Sequence, residues 1–281
     1  MEFDPTLLAD LKDKDYSKTG LMVLEGRIVI EKALECDIEI IGLLRSPESG
    51  DEWIKAHSGK FPVVVMDHSE LCSLAGFKFH HGALALARRP ALLQASELRP
   101  RSENPQNPKN YLCLWNVTDP SNVGALIRSA AGLGAAGLLL GDGCADPYYR
   151  KALRASMGNA FALPLYTCDE SALQTVAQKG FDLIAATLSE RAQPLPFAEL
   201  PARLDSGYPA RTGTASSVRP LILILGNEGF GLPAQITQRC SREVYIPMSR
   251  GVDSLNVVVA GSICMYALFY KSSGAYRTLI C

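Results

Sequence analysis

The chain has 281 residues, 47% hydrophobic and 20% charged, so it is neither disordered nor fibrous, and at roughly 100–200 residues per domain two domains are expected. Lys and Arg total 28 against 29 Asp and Glu, a formal net charge of -1, which excludes a strongly basic, histone-like nucleic-acid binder and leaves room only for a local basic patch. The first residues, MEFDPTLLADLKDKDY, are acidic where a secretory signal carries a basic region, and no stretch approaches the roughly 18 apolar residues of a membrane span, so a soluble, cytoplasmic protein is expected.

Eight cysteines (Cys36, Cys72, Cys113, Cys144, Cys168, Cys240, Cys264 and Cys281) are scattered without a CxxC pair, a pattern of reduced, mostly buried thiols rather than of a disulfide or zinc framework. All four histidines (His57, His68, His80, His81) precede residue 82. An active site in the later two-thirds must therefore work without imidazole, which removes Ser/His and Cys/His triads and His-based metal centres there. The pair His80-His81 reads as a strand end near a turn at Gly82, because adjacent strand residues point to opposite faces.

In chain order, RIVIEKALEC after Gly26 sets Val29 with Ala33 and Ile30 with Leu34 at helical spacing. IEIIGLLR, FPVVVM and ALALARR then read as strands, separated by short helices around Glu48 to His57 and His68 to Leu74. This predicts a small α/β unit over residues 1–90. Residues 91–110, rich in Pro and Asn, read as a linker. From Tyr111 to the C-terminus the runs YLCLWNV, AGLLLG, FALPLY, FDLIAAT, PLILILG and REVYIP alternate with helices near Val123 to Leu133, Tyr148 to Ala155, Glu170 to Gln178 and Ala234 to Arg239. Apolar strands alternating with helices predict a mostly parallel sheet with its ligand at the carboxyl ends of the strands. Residues 189–219 read as a long surface loop, and a last helix is predicted from about Leu255 to Ser272.

Three turns after strands of this second series carry the chemistry. In Asn116 to Ala130, Asn122 suits a helix N-cap, Gly124 a close backbone approach, and Arg128 stands less than two turns further on; a capped helix with an exposed arginine is an equal reading. In LILGNEGFGLP, three glycines at a strand end allow main-chain groups to line a pocket, with GxxGxG spacing and no GK[ST], which disfavours dinucleotide and triphosphate sites. In IPMSRGVDSLNVVVA, Ser254 and Asn256 stand at a helix start, where they either cap amides or orient a substrate hydroxyl. Arg150, Lys151 and Arg154 on one predicted helix, and Arg88, Arg89, Arg99 and Arg101 around the linker, are candidate phosphate contacts, with a solvated face as the plainer explanation.

Taken together, NVTDPSNVGALIRSA, GNEGFGL and IPMSRGVDSLNVVVA, with RKALRASMGNAFALP between the first two, resemble the signature motifs of the SpoU/TrmH family of RNA ribose 2'-O-methyltransferases in the SPOUT superfamily. The residues before them, with LEGRIVIEKALE and FHHGALALARR, more loosely resemble the ribosomal-protein-L30e-like substrate-binding domain that often precedes this catalytic domain. The resemblance implies an α/β fold: a C-terminal SPOUT-type parallel sheet with a trefoil knot, preceded by the smaller L30e-like domain. It also implies S-adenosyl-L-methionine as cofactor, an RNA substrate, a homodimer through the C-terminal domain, and no metal. By motif position it assigns cofactor contacts to Gly226, Ile246 and Leu255, and catalytic roles to Asn122, Arg128, Glu228, Ser254 and Asn256. Ser121 departs from the His or Gly of many members. A member that has kept the fold and lost catalysis would act as an RNA-binding or assembly factor, against which the complete catalytic set argues. The near-zero net charge then predicts recognition by RNA shape with a modest salt dependence.

Overall fold

Val29, Ile30, Ala33 and Leu34 are all buried along one face of a helix, Arg27–Glu35, in the computed structural model. The structure describes residues 3–9, 12–50, 52–76, 82–100, 109–195, 219–249 and 254–269. His80-His81 and Arg101 lie outside them. One unit of the chain comprises Met1–Ala91 with Pro120–Arg128 and Asp146–Ala162; the other comprises Leu92–Asp119, Ser129–Ala145 and Leu163–Cys281.

The first unit runs α1 (Asp13–Lys18), β1 (Leu21–Glu25), α2 (Arg27–Glu35), β2 (Ile40–Arg45), β3 (Val63–Val65), α3 (His68–Ala75) and β4 (Ala83–Arg88), with short 3-10 turns at Pro47–Ser49 and Glu52–His57. Its sheet has the order β1-β4-β2-β3; β4 is antiparallel to both neighbours and β2 is parallel to β3. Phe3, Leu8, Val23, Leu44, Leu71, Leu84 and Leu86 form its core. Burying each large aliphatic side chain contributes roughly 1.5–3 kcal/mol, so this small sheet needs most of them.

Two helical segments join this unit from further along the chain, the first part of α4 (Pro120–Gly132) and α5 (Arg150–Ala155). A Cβ on Gly124 would lie 2.2 Å from the carbonyl oxygen of Ala152, so glycine there is what lets α4 close onto α5. The basic face expected on α5 is not a free phosphate patch. Arg150 pairs with Asp13 at 3.0 Å with both side chains largely covered, and Arg154 pairs with Glu25, whose side chain is 2% exposed. Arg89 is similarly engaged: it holds Asp146 at 2.5 Å and lies 4.8 Å over the ring of Tyr148. Arg88 pairs with Glu39 on the surface, and Arg99 donates to the carbonyls of Glu97 and Leu98.

The second unit holds a wholly parallel sheet of eight strands in the order β10-β12-β9-β11-β6-β7-β8-β5. These are β5 (Leu93–Gln94), β6 (Tyr111–Leu114), β7 (Gly137–Leu140), β8 (Leu165–Thr167), β9 (Asp182–Ala186), β10 (Gln193–Pro194), β11 (Leu221–Leu225) and β12 (Arg242–Tyr245). The helices are α6 (Glu170–Gln178), α7 (Ala234–Thr237) and α8 (Val257–Phe269). Residues of β6 and β7 are buried throughout, as continuous apolar runs covered on both faces require.

Several expectations change. Leu93–Gln94, placed in the linker by composition, pairs with Tyr166 and Thr167 as an edge strand. Gln193–Pro194 likewise pairs with Val244 and Tyr245 inside the expected loop 189–219, whose residues 196–218 lie outside the description. FALPLY yields strand only from Leu165, because Ser156–Ala162 is a run of turns with Met157 at φ 53° and Gly158 at φ 74°. The expected trefoil knot turns on the path of residues 196–218 and 250–253, which lie outside the described residues.

Candidate active site

Strands β9, β11 and β12 lie side by side, and the segments leaving their carboxyl ends, Ala186 to Leu188, Leu225 to Gly231 and Tyr245 to Met248, surround a cavity of about 370 Å³. That is the size of a small-molecule site and the end of the sheet where open parallel folds bind ligands. The start of α8 closes it with Val257, Ala260 and Cys264.

The wall formed by the turn after β11 is rigid for identifiable reasons. Asn227 and Gly231 exchange main-chain hydrogen bonds at 3.2 and 2.9 Å, and the Asn227 carboxamide oxygen accepts from the amides of Gly229 and Phe230 at 2.8 and 3.1 Å. Its nitrogen donates to the carbonyl of Asn116 at 2.9 Å, which ties this turn to the turn after β6. A Cβ on Gly226 would sit 2.5 Å from the carbonyl carbon of Gly231, so the turn closes this tightly only around glycine.

Gly226, Ile246 and Leu255 all line the cavity, as do Glu228 and Ser254. Asn256 does not: its carboxamide oxygen accepts from the amide of Val258 at 2.9 Å and caps α8, satisfying an amide that the helix start leaves unpaired. Asn122 is not the helix cap that the sequence suggested. The helix begins at Pro120, where the missing proline N–H costs nothing, and Asn122 lies within the first turn. Arg128 is exposed on α4 and has no ion pair or hydrogen bond among the described residues.

Sequence reasoning missed Ala186 to Leu188, Met248 and Cys264. The strand-end rule applied to FDLIAAT would have found the first three. Cys264, one helical turn beyond Ala260, carries no such signal. Burial pushes its thiol up to about 12, so at neutral pH it is a protonated apolar wall and not a nucleophile. Glu228 is then the one charged side chain among the described residues lining the cavity. No group of three or more His, Cys, Asp or Glu side chains suited to a metal ion occurs among the described residues.

A pocket with main-chain and apolar walls, one carboxylate and no imidazole suits a small cationic ligand that carries its own reactivity. The comparisons agree with that character. Residues 109–266 match the family model described as SpoU rRNA Methylase family. A Mycobacterium tuberculosis protein described as an uncharacterized tRNA/rRNA methyltransferase is 31% identical over 256 residues, covering 88% of this chain and 80% of that one. The Bacillus subtilis 23S rRNA (guanosine(2553)-2'-O)-methyltransferase RlmP is 26% identical over 264 residues, 91% of each chain. The AdoMet-bound rRNA methyltransferase from Sinorhizobium meliloti shares the fold with a TM-score of 0.72 at 22% identity, across 94% of this chain and 91% of that one. With residues of the second and third motif turns lining one cavity and the family model spanning more than half its length, the chain belongs to the SpoU rRNA methylase family.

Proposed function

We propose that this enzyme transfers a methyl group from S-adenosyl-L-methionine to a ribose 2'-hydroxyl of structured RNA, and that the RNA is ribosomal rather than transfer RNA. The observation that carries the reading is the cavity at the carboxyl ends of β9, β11 and β12, lined together by Gly226, Glu228, Ile246, Ser254 and Leu255. Its volume and its apolar and main-chain walls fit a compact cofactor. When bound, that cofactor supplies the electrophilic methyl group, so the protein's task is to hold and activate one oxygen.

The residues divide that task. Gly226, Ile246 and Leu255 hold the cofactor through main-chain and apolar contact. Arg128, exposed on α4, grips the phosphate beside the target ribose and stabilises the developing charge on the 2'-oxygen as its proton passes to water; a guanidinium, with five N–H donors and no acceptor, serves this role better than that of a base. Glu228 and Asn122 orient the reacting groups, and Ser254 with Asn256 positions the hydroxyl. The first 90 residues hold the RNA. Two copies pair through the C-terminal domain, for which α8 supplies exposed apolar surface at Val259 and Tyr266. The working compartment is the cytoplasm.

Ribosomal RNA is favoured by the family description and by the substrate named for the Bacillus subtilis relative. Incubation with methyl-labelled cofactor and protein-free ribosomal or transfer RNA, followed by nucleoside mass spectrometry, tests the whole reading. A 2'-O-methyl nucleoside in ribosomal RNA is expected. Cofactor binding without transfer to either RNA overturns it in favour of a non-catalytic RNA-binding factor.

A further inference from the structure

Phe230 is 90% exposed, more than any other large hydrophobic side chain among the described residues; Leu188 follows at 64%. It stands on the glycine turn between Gly229 and Gly231, which both line the cavity, while the ring itself does not. The turn is not loose: the Phe230 amide is held by the Asn227 carboxamide at 3.1 Å, and the main chain closes behind it between Asn227 and Gly231. Exposing a phenyl ring forgoes the stabilisation its burial would bring, and here that exposed ring is carried on a fixed support beside the cavity.

We propose that Phe230 is a base-stacking residue that selects an unpaired nucleotide at or next to the methylated ribose. The inference rests on the RNA methylation reading above. Flanking glycines leave both ring faces open, which suits a flat base sliding over one of them. Its surroundings argue against a protein partner. Its chain neighbours Glu228, Gly229 and Gly231 are all exposed and small or polar, whereas protein hot spots sit inside a rim that excludes water. Stacking also tolerates any base, so Phe230 selects a single-stranded target rather than a particular letter.

The test compares Phe230→Ala, Phe230→Leu and Phe230→Trp in the full-length enzyme. Protein-free ribosomal RNA serves as probe in both methyl-transfer kinetics and filter binding. Stacking worth about 1–3 kcal/mol per base predicts that the alanine variant raises KM and Kd for RNA about 5- to 150-fold, with the effect on KM rather than kcat. The leucine variant behaves like alanine, tryptophan retains wild-type values, and S-adenosyl-L-methionine affinity is the same in all. Equal RNA affinity in wild type and alanine, or full rescue by leucine, overturns the proposal. A shift of the alanine variant from dimer to monomer in sedimentation, with RNA KM unchanged, assigns the ring to a protein interface instead. If the wild type binds this RNA through Phe230 but methylates none, the methylation reading fails while the stacking role stands.

Discussion

Replacing Gly226 by alanine tests the cavity through its least forgiving contact. The added Cβ would lie 2.5 and 2.6 Å from the carbonyl carbon and oxygen of Gly231 and 2.7 Å from the nitrogen of Leu232, all main-chain atoms with no flexible end to swing aside. Ordinary contact begins near 3.4 Å, so the turn must open by a distance on the order of 1 Å. Overpacking of this kind costs about 1–3 kcal/mol, and the opening moves main-chain groups that line the cavity. The expected result is cofactor affinity weakened by about 5- to 150-fold in calorimetric titration, with a lower urea midpoint. Gly231→Asn provides the contrast. A Cβ there meets nothing within 4 Å, and Asn accepts the positive φ of 66°, so its loss is smaller. A Gly226→Ala enzyme with wild-type cofactor affinity and midpoint refutes the reasoning.

Arg128→Ala is expected to lower kcat by at least about 100-fold with cofactor affinity unchanged, as for loss of a group that stabilises developing charge; Arg128→Lys with near-normal RNA affinity and activity restored only at high pH would instead show a base. Asn256→Ala removes the cap on Val258 and costs about 1 kcal/mol by urea unfolding, whereas Asn256→Asp keeps the cap and restores stability without restoring turnover. Burial raises Cys240 and Cys264 to about 12 and Cys144 to about 11 from an ordinary 9.0. Because these thiols ionise more readily once unfolded, stability is full below pH 9 and falls as pH rises from 9 towards 12. Urea midpoints at pH 7.5 and 10.5 measure this, and an equal pair contradicts it.

The parallel sheet was legible because its inner strands are nearly pure apolar runs: YLCL, GLLL and LILIL announce burial on both faces. Strands β5 and β10 were not, since two residues carry no periodicity and are strands only through the neighbour they bond. Strand β1 escaped too, its four apolar residues being too few to alternate and its identity fixed by pairing with β4, from Leu21 with Arg88 to Glu25 with Leu84. Around the cavity, Gly226, Glu228, Ile246, Ser254 and Leu255 were named through the family resemblance of the turns that carry them, and all five line its walls. The ion pairs of the α5 arginines were not legible, for the opposite reason. Their carboxylate partners Asp13 and Glu25 lie 137 and 129 positions earlier, a distance over which local pattern says nothing.

Those same ion pairs bear on how the chain can be divided. A cut in the stretch 91–110, where composition suggests a linker, would separate Glu25 from the arginine on which it depends. The N-terminal piece would lose both the Arg154 guanidinium and helix α5, which packs against the strand that carries this carboxylate. It would also lack residues 120–128 and 146–162, which belong to the same unit. The two units are therefore not modules that can be expressed, swapped or grafted at a hinge; the first is completed only after the second has begun to be made.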